Sequence, residues 1–316
     1  MKIGVIGAGS WGKNLVRNFR DLGVLAGIAD ELESNRAWAA AECDGVSVFE
    51  DHAALLAAGF DAVAIATPAH THFAIACDAL AAGCDVFVEK PLTLDPGEAA
   101  ELVRRSEQAG RITMVGHLLL YQPAISFIRD FLRAGKLGRV FSLHQQRSKL
   151  GRARAVENVL WSFGVHDVAV LLDLAGQLPA TVTAFGHCGL QPGIEDDVHL
   201  HLRFPDGTAA NLHNSWLWPK VERGLVVVGE KGMLEYDETG QQVIFHRKTI
   251  NASLVNVEDG EEVVFAGNSQ PLRLEMEHFI TCCRDRLRPL SDARGGLAVV
   301  EVLARAEECL QKERRA

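Results

Sequence analysis

Lys90 stands between Glu89 and Pro91, directly after the short apolar run 85–88. An ammonium at the end of a buried strand can exchange a proton with a substrate hydroxyl once burial or a nearby positive charge lowers its pKa. A second group, Gly7, Gly9 and Gly12, follows the apolar run 2–6 and opens an amphipathic stretch at 11–22, with Ser10 and Trp11 inside the turn. In that setting the glycines allow a tight turn, a close approach of backbone to a pyrophosphate and packing of the helix on the sheet, while the helix N-terminus offers N–H donors to phosphate. Asp30 ends the next apolar run, where a carboxylate accepts the hydrogens of the adenosine ribose hydroxyls and repels a 2′-phosphate. A dinucleotide site with a lysine near its reactive end points to hydride transfer, with NAD as cofactor.

Thr67, Pro68, His70 and His72 follow the run 62–66, at the carboxyl edge of the expected sheet, where open α/β folds bind ligands. Thr67 and Pro68 shape the cofactor groove, and the two histidines either cap the next helix or face the dinucleotide. His166 precedes an apolar helix expected at 168–174, a place from which an imidazole can hydrogen-bond a substrate hydroxyl. His199, His201 and His213 alternate along strands without an accompanying carboxylate spacing, so a polar sheet face is expected and no metal.

These residues need a frame. Apolar runs at 2–6, 24–29, 62–66, 85–88 and 112–115 alternate with helical patterns at 11–22, 71–82 and 96–109, which predicts a parallel sheet covered on both faces. From residue 140 onward, alternating strands dominate, at 198–204, 208–216, 225–228, 233–236 and 243–247. Turns such as Pro205-Asp206-Gly207 and Glu230-Lys231-Gly232 place neighbouring strands in hairpins. The fold class is therefore α/β: a dinucleotide-binding Rossmann domain at 1–119, then a domain at 120–316 with a large, mostly antiparallel open sheet. Helices are expected at 271–286 and 292–311, the second capped by Ser291, and both can return to the first domain.

With 316 residues and 48% apolar content, the chain can fill two cores, and its net charge of −9 argues against nucleic acid or an anionic membrane as partner. No apolar stretch is long enough to span a bilayer, and Met1-Lys2 leads directly into the first strand, so a cytoplasmic protein with a small ligand is expected. Seven cysteines without a CxxC pair suggest reduced thiols.

Taken together, the opening glycine motif, Thr67-Pro68 with His72, Glu89-Lys90-Pro91, the 135–138 segment, His166 before a helix, Val227-Val228-Gly229-Glu230-Lys231-Gly232 and Arg288-Pro289-Leu290-Ser291-Asp292 resemble the Gfo/Idh/MocA oxidoreductases from end to end. The resemblance implies an oxidoreductase of polyols, sugars or sugar nucleotides, with Lys90 in the catalytic and nicotinamide site and His166 in the substrate site. Two departures stand out. Ser162 occupies a position where the family often has an aspartate, with Asp167 directly after His166, and Leu120 stands where many members carry an arginine. The stretch 116–123, with Trp161, Ser162, His166 and Asp167, is similar to a subgroup that oxidises nucleotide sugars in surface-polysaccharide and lipid A pathways. On that basis the substrate is a UDP-linked N-acetylhexosamine, with His117, Tyr121 and Trp161 as further contacts. Arg147, Lys149, Arg152 and Arg154 are then available to a diphosphate. A free sugar or inositol, the reverse reaction on a keto sugar, and a non-catalytic dinucleotide-binding regulator are the alternatives. A homodimer or homotetramer formed sheet to sheet is expected.

Overall fold

The computed structural model describes residues 1–267 and 270–315. It divides into two compact units, Met1–Leu118 with Gln270–Val300, and Leu119–Ser269 with Glu301–Ala316.

In the first unit, β1 (Ile3–Ile6), α1 (Gly12–Asp21), β2 (Leu25–Ala29), α2 (Glu33–Glu42), β3 (Ser47–Phe49), α3 (His52–Ala57), β4 (Ala62–Ile65), α4 (His72–Ala81), β5 (Asp85–Val88), α5 (Pro96–Ala109) and β6 (Thr113–Val115) follow one another. The strands form one parallel sheet in the order β3-β2-β1-β4-β5-β6. Every residue of β1, β4 and β5 is buried, as continuous apolar strands covered by helices on both faces must be. The strand order reverses between β1 and β4, and that reversal opens the crevice in which such folds hold a ligand.

In the second unit, α6 (Pro123–Arg133), β7 (Val140–Ser148), α7 (Val165–Ala175), β8 (Thr181–His187), β9 (Asp197–Arg203), β10 (Ala209–Ser215), β11 (Glu222–Gly229), β12 (Gly232–Asp237), β13 (Gln242–Ile250) and β14 (Asn256–Ala266) build an eight-stranded sheet. Its order is β14-β13-β12-β11-β7-β10-β9-β8, and all neighbours are antiparallel except β7 and β10. Alternation gives the sheet two characters. Val198, Leu200 and Leu202 are buried, whereas His199, His201 and Arg203 turn outward. α7 packs on β7 and β10, and α6 on β13 and β14. A broad depression of about 690 Å³ is lined by outward side chains that include His144, His199, His201, His213 and Glu222.

Two helices end the chain, α8 (Pro271–Asp285) and α9 (Ala293–Arg315). α8 belongs to the first unit, where Phe279 sets its ring edge-on against Phe19 and Phe87, at 6.5 and 5.7 Å between centroids. The cap of α9 differs from the sequence expectation. Asp292 Oδ1 accepts the Gly295 N–H at 2.8 Å and is the cap, whereas the Ser291 hydroxyl donates to the Val115 carbonyl at 2.6 Å. The carboxylate reaches the first-turn donors while the shorter hydroxyl ties the loop to β6. Residues of α9 beyond 300 lie in the second unit, where they run along β8. Arg305 donates to the carbonyls of Pro179 and Ala180, Cys309 to that of Val182, and Glu313 accepts the Gly186 N–H. No helix among the described residues is long and apolar enough to cross a membrane, and all seven cysteines are free thiols.

Candidate active site

β1 delivers its chain into a turn that only glycine can make. Gly7 adopts φ +93° with its α-carbon against the Ala66 and Thr67 backbone, and a methyl on Gly12 would lie 1.9 Å from the Gly7 carbonyl oxygen. Gly9 is different, because a methyl there would meet no protein atom within 4 Å: its surface is open to a ligand. No side chain caps α1, and its first turn carries no acid, so nothing of the protein's own competes with an anion at that end. Ser10 and Trp11 are exposed on this turn. A cavity of about 420 Å³ follows, lined by Gly9, Asp30, Leu32, Thr67, Pro68 and His70 among others.

Asp30, at the end of β2, is half-buried in that cavity. Its carboxylate accepts the Ala8 N–H at 2.6 Å, the Leu32 N–H at 2.9 Å and the Asn35 side-chain amide at 3.1 Å. It therefore braces the glycine turn as well as lining the cavity. Arg36 is folded back onto the carbonyls of Asp30 and Glu31 and pairs with Glu33, so its guanidinium is already engaged. The glycine cradle, the uncapped helix and the acid at the end of β2 fit an NAD molecule whose ribose is unphosphorylated.

β5 ends at Val88, and Glu89-Lys90-Pro91 emerges at the carboxyl edge with a cis Lys90–Pro91 peptide. The Glu89 carboxyl accepts the Trp11 indole N–H and, at 3.2 Å, the Lys90 backbone N–H. Burial pushes the Glu89 pKa up to about 7, against the opposing pull of the Trp11 hydrogen bond and the Lys90 charge. Lys90 is half-buried. His117 is 2% exposed, and burial together with the Lys90 charge drives its pKa down to about 3, so its ring is neutral. Neither His117 ring nitrogen has a hydrogen-bond partner among the described residues. His72 takes a different place from the one expected beside the dinucleotide. It is buried, with Nδ1 2.8 Å from the Pro91 carbonyl and Nε2 3.0 Å from that of Thr67, so it ties the loop after β4 to the loop after β5. Burial lowers its pKa, and a neutral ring donates to one of these carbonyls at a time. Thr67 bonds the Thr71 hydroxyl at 2.7 Å, which stiffens the same loop.

In the second unit, His166 lies in the first turn of α7 rather than ahead of it, because a π-helical turn at Leu160–Gly164 runs into that helix without a break. Asn158 anchors the turn: its oxygen accepts the Trp161 N–H at 3.2 Å, and its amide donates to Glu195 and Glu307. Gly164 is required there, since a methyl would stand 2.4 Å from the Asn214 side-chain oxygen. Trp161 and His166 are half-buried, and Ser162 and Tyr121 are buried.

Two expected substrate contacts fall elsewhere. The Asp167 carboxylate is 0% exposed and is enclosed by Arg147 Nε at 2.9 Å, Gln145 at 3.0 Å and Asn214 at 3.0 Å. Arg147 spends its other nitrogens on Glu238, at 2.6 and 3.1 Å, and cannot also meet a diphosphate. Burial disfavours the charge on Arg147, but Asp167 and Glu238 outweigh it and hold its pKa up. Burial pushes the Asp167 carboxyl up while Arg147 and Asn214 pull it down. This buried network fixes the turn of α7 that carries His166. Arg152 and Arg154 are exposed, with Glu157 3.7 Å from Arg154, and the Lys149 ammonium lies 5.7 Å from the Phe163 ring centroid. Gln145, Asn214 and Glu238 have no motif of their own.

Residues 1–117 match the model of the oxidoreductase family with an NAD-binding Rossmann fold, and residues 125–235 match the Gfo/Idh/MocA C-terminal domain. UDP-N-acetylglucosamine 3-dehydrogenase of Acidithiobacillus ferrooxidans is 29% identical over 319 residues, covering 99% of each chain. A solved structure of that enzyme superimposes with a TM-score of 0.90 at 26% identity, covering 100% of this chain and 99% of the other. A putative oxidoreductase from Magnetospirillum magnetotacticum gives a TM-score of 0.84 at 30% identity, covering 97% and 99%. With the glycine cradle at one end and Glu89-Lys90-Pro91 at the sheet edge, the chain belongs to the Gfo/Idh/MocA family of NAD-dependent oxidoreductases.

Proposed function

We propose that the protein oxidises a secondary alcohol on the sugar of a UDP-linked N-acetylhexosamine to a ketone. The observation that carries this reading is the match, over essentially the full length of both chains, to a UDP-N-acetylglucosamine 3-dehydrogenase. Bound NAD⁺ accepts the hydride of the carbinol carbon. The hydroxyl proton leaves to the protein as the carbonyl forms, and Lys90 and His166 are the residues that take it or hold the oxygen. Neutral His117, buried and electrostatically coupled to Lys90, provides an uncharged hydrogen-bonding group at the same edge. Thr67, Pro68 and His70 line the cofactor cavity, and Trp161, Ser162 and Tyr121 belong to the substrate side. Exposed Arg152 and Arg154, with half-buried Lys149, are the cations left for the diphosphate, since Arg147 is committed.

The outward sheet face carries exposed Phe185 and Val221 amid its polar residues, which supports self-association through that face as a dimer or tetramer. Free thiols and a dinucleotide cofactor suit the cytoplasm.

The test is steady-state formation of reduced cofactor with UDP-N-acetylglucosamine against N-acetylglucosamine. The UDP-sugar is the better substrate in the expected result. Equal or better turnover of the free sugar returns the protein to the general sugar and polyol dehydrogenases. Lys90→Ala and His166→Ala each lower turnover by roughly 10² or more, and His166→Ala keeps NAD binding. A well-folded variant with near-normal turnover removes that residue from the mechanism.

A further inference from the structure

The outward face of the second unit's sheet gathers imidazoles around one carboxylate. Asp197 and His199 are two residues apart on β9 and so share a face, and His213 of β10 is paired directly across from His199. His213 Nε2 lies 3.1 Å from both oxygens of Asp197, and His199 Nε2 lies 3.7 Å from Oδ1. The three potential donor atoms all fall within 4.8 Å of one another. The expectation of a histidine face without a carboxylate is therefore corrected: Asp197 stands at the end of β9, where its side chain reaches both rings.

We infer that Asp197, His199 and His213 form a binding site for a single divalent transition-metal ion of the zinc, cobalt or nickel type. Two imidazole nitrogens and one carboxylate oxygen are the donor set such ions prefer over calcium or magnesium, which favour all-oxygen sites. Donors about 2.1 Å from a tetrahedral ion stand about 3.4 Å from each other, and the observed separations of 3.1 and 3.7 Å bracket that spacing. The same nitrogen, Nε2, approaches the carboxylate in both histidines, so both ligating atoms lie on the side of the stack that faces Asp197. The frame is stiff because the rings stack at 4.1 Å with 3° between planes. Phe185 lies against the far side of His199 at 5.1 Å, and Trp218 stands edge-on to His213 at 5.1 Å. Loading the ion requires the two parallel rings to splay, and His199, 46% exposed, has room to turn. The depression on this face leaves the fourth position to water or another ligand. A proton now does the work of the ion, bridging His213 to Asp197, and a metal replaces it.

The test uses full-length, untagged protein freed of metal with chelator and titrated with zinc or cobalt chloride, read by calorimetry. For cobalt, the visible absorption of a tetrahedral site is a second readout. The expected result is one ion per chain, with affinity weakened more than ~10-fold in His199→Gln and in His213→Gln and lost in the double variant, while NAD binding is unchanged. These positions lie on the face proposed for self-association, so circular dichroism and sedimentation of the variants check that the sheet and the assembly persist. Absence of stoichiometric binding, or binding that the double variant retains, overturns the proposal.

Discussion

Glu275 of α8 lies buried close enough to Glu89 for the Glu89 charge to discourage its ionisation. Neither Glu275 oxygen has a hydrogen-bond partner among the described residues. Burial first, and the Glu89 charge second, raise the Glu275 pKa well above the ordinary carboxylate range. Glu89 keeps its hydrogen bonds from Trp11 and Lys90 and is the more easily ionised of the pair, with its pKa raised to about 7. Two carboxyls on one buried spot ionise one at a time.

This pairing sets a pH dependence of stability. A carboxyl with a folded pKa above its unfolded value holds its proton better in the folded chain, so the Glu89 contribution to stability falls as pH rises from about 4.5 to about 7 and is gone above, while Glu275, raised well above 4.5, extends the decline to higher pH. The Glu89 contribution amounts to about 3 kcal/mol at most. Urea unfolding at pH 5 and pH 8 measures it: Glu89→Gln flattens the difference, whereas an unaltered slope in that variant places the titration elsewhere. Glu275→Gln is expected to leave stability at pH 8 equal or higher, since an uncharged amide replaces an acid under repulsion.

The glycine turn separates folding from binding. Gly9→Ala adds a methyl into open space, so the melting temperature is expected to hold while NAD affinity drops. Gly12→Ala drives a methyl onto the Gly7 carbonyl and is expected to lower both. Cofactor fluorescence titration beside thermal unfolding distinguishes them, and a Gly9→Ala protein that binds NAD normally would place the pyrophosphate elsewhere.

Asp30 does two jobs, and its removal should show both. In Asp30→Ala the preference for NAD over NADP shrinks. NAD affinity also falls, because Ala8, Leu32 and Asn35 lose their common acceptor. Affinities for the two cofactors in wild type and variant check this. If wild type binds NADP as tightly as NAD, Asp30 is not the discriminating residue.

Asp167→Ala leaves the Arg147 guanidinium paired with Glu238 alone and its buried Nε without an acceptor, a loss of up to about 3 kcal/mol. Activity is expected to fall together with stability, since the turn bearing His166 loses its brace. His166→Ala, by contrast, should cost activity with little change in denaturation midpoint. An Asp167→Ala enzyme of normal stability but no turnover would give the carboxylate a direct part in the chemistry.

The cofactor half of the site was legible because its constraints are local. A glycine that must adopt φ +93°, an acid ending β2 and a lysine after β5 are each fixed by one strand and the turn that follows it. β3 escaped notice because it is only three residues long and half-exposed, and β14 because its acids mask the alternation. Asp167 and Arg147 were misread for a different reason. They are twenty residues apart in sequence, and only the register of β7 against α7 and β10 shows that they consume each other's charge. For His72 the sequence leaves helix capping and a dinucleotide contact both open, and only the carbonyls on either side of it show the tie between the two loops.

The rim of the second sheet governs how copies of this chain can meet. β14 is one border and bears Glu258, Asp259, Glu261 and Glu262, so two such borders brought alongside each other would repel. The other border, β8, is already sealed by the tail of α9, whose side chains occupy carbonyls and an amide that a foreign strand would need. Lateral growth into a continuous ribbon is thereby disfavoured at both margins of the folded sheet, and the seal on β8 forms only once the last helix is in place.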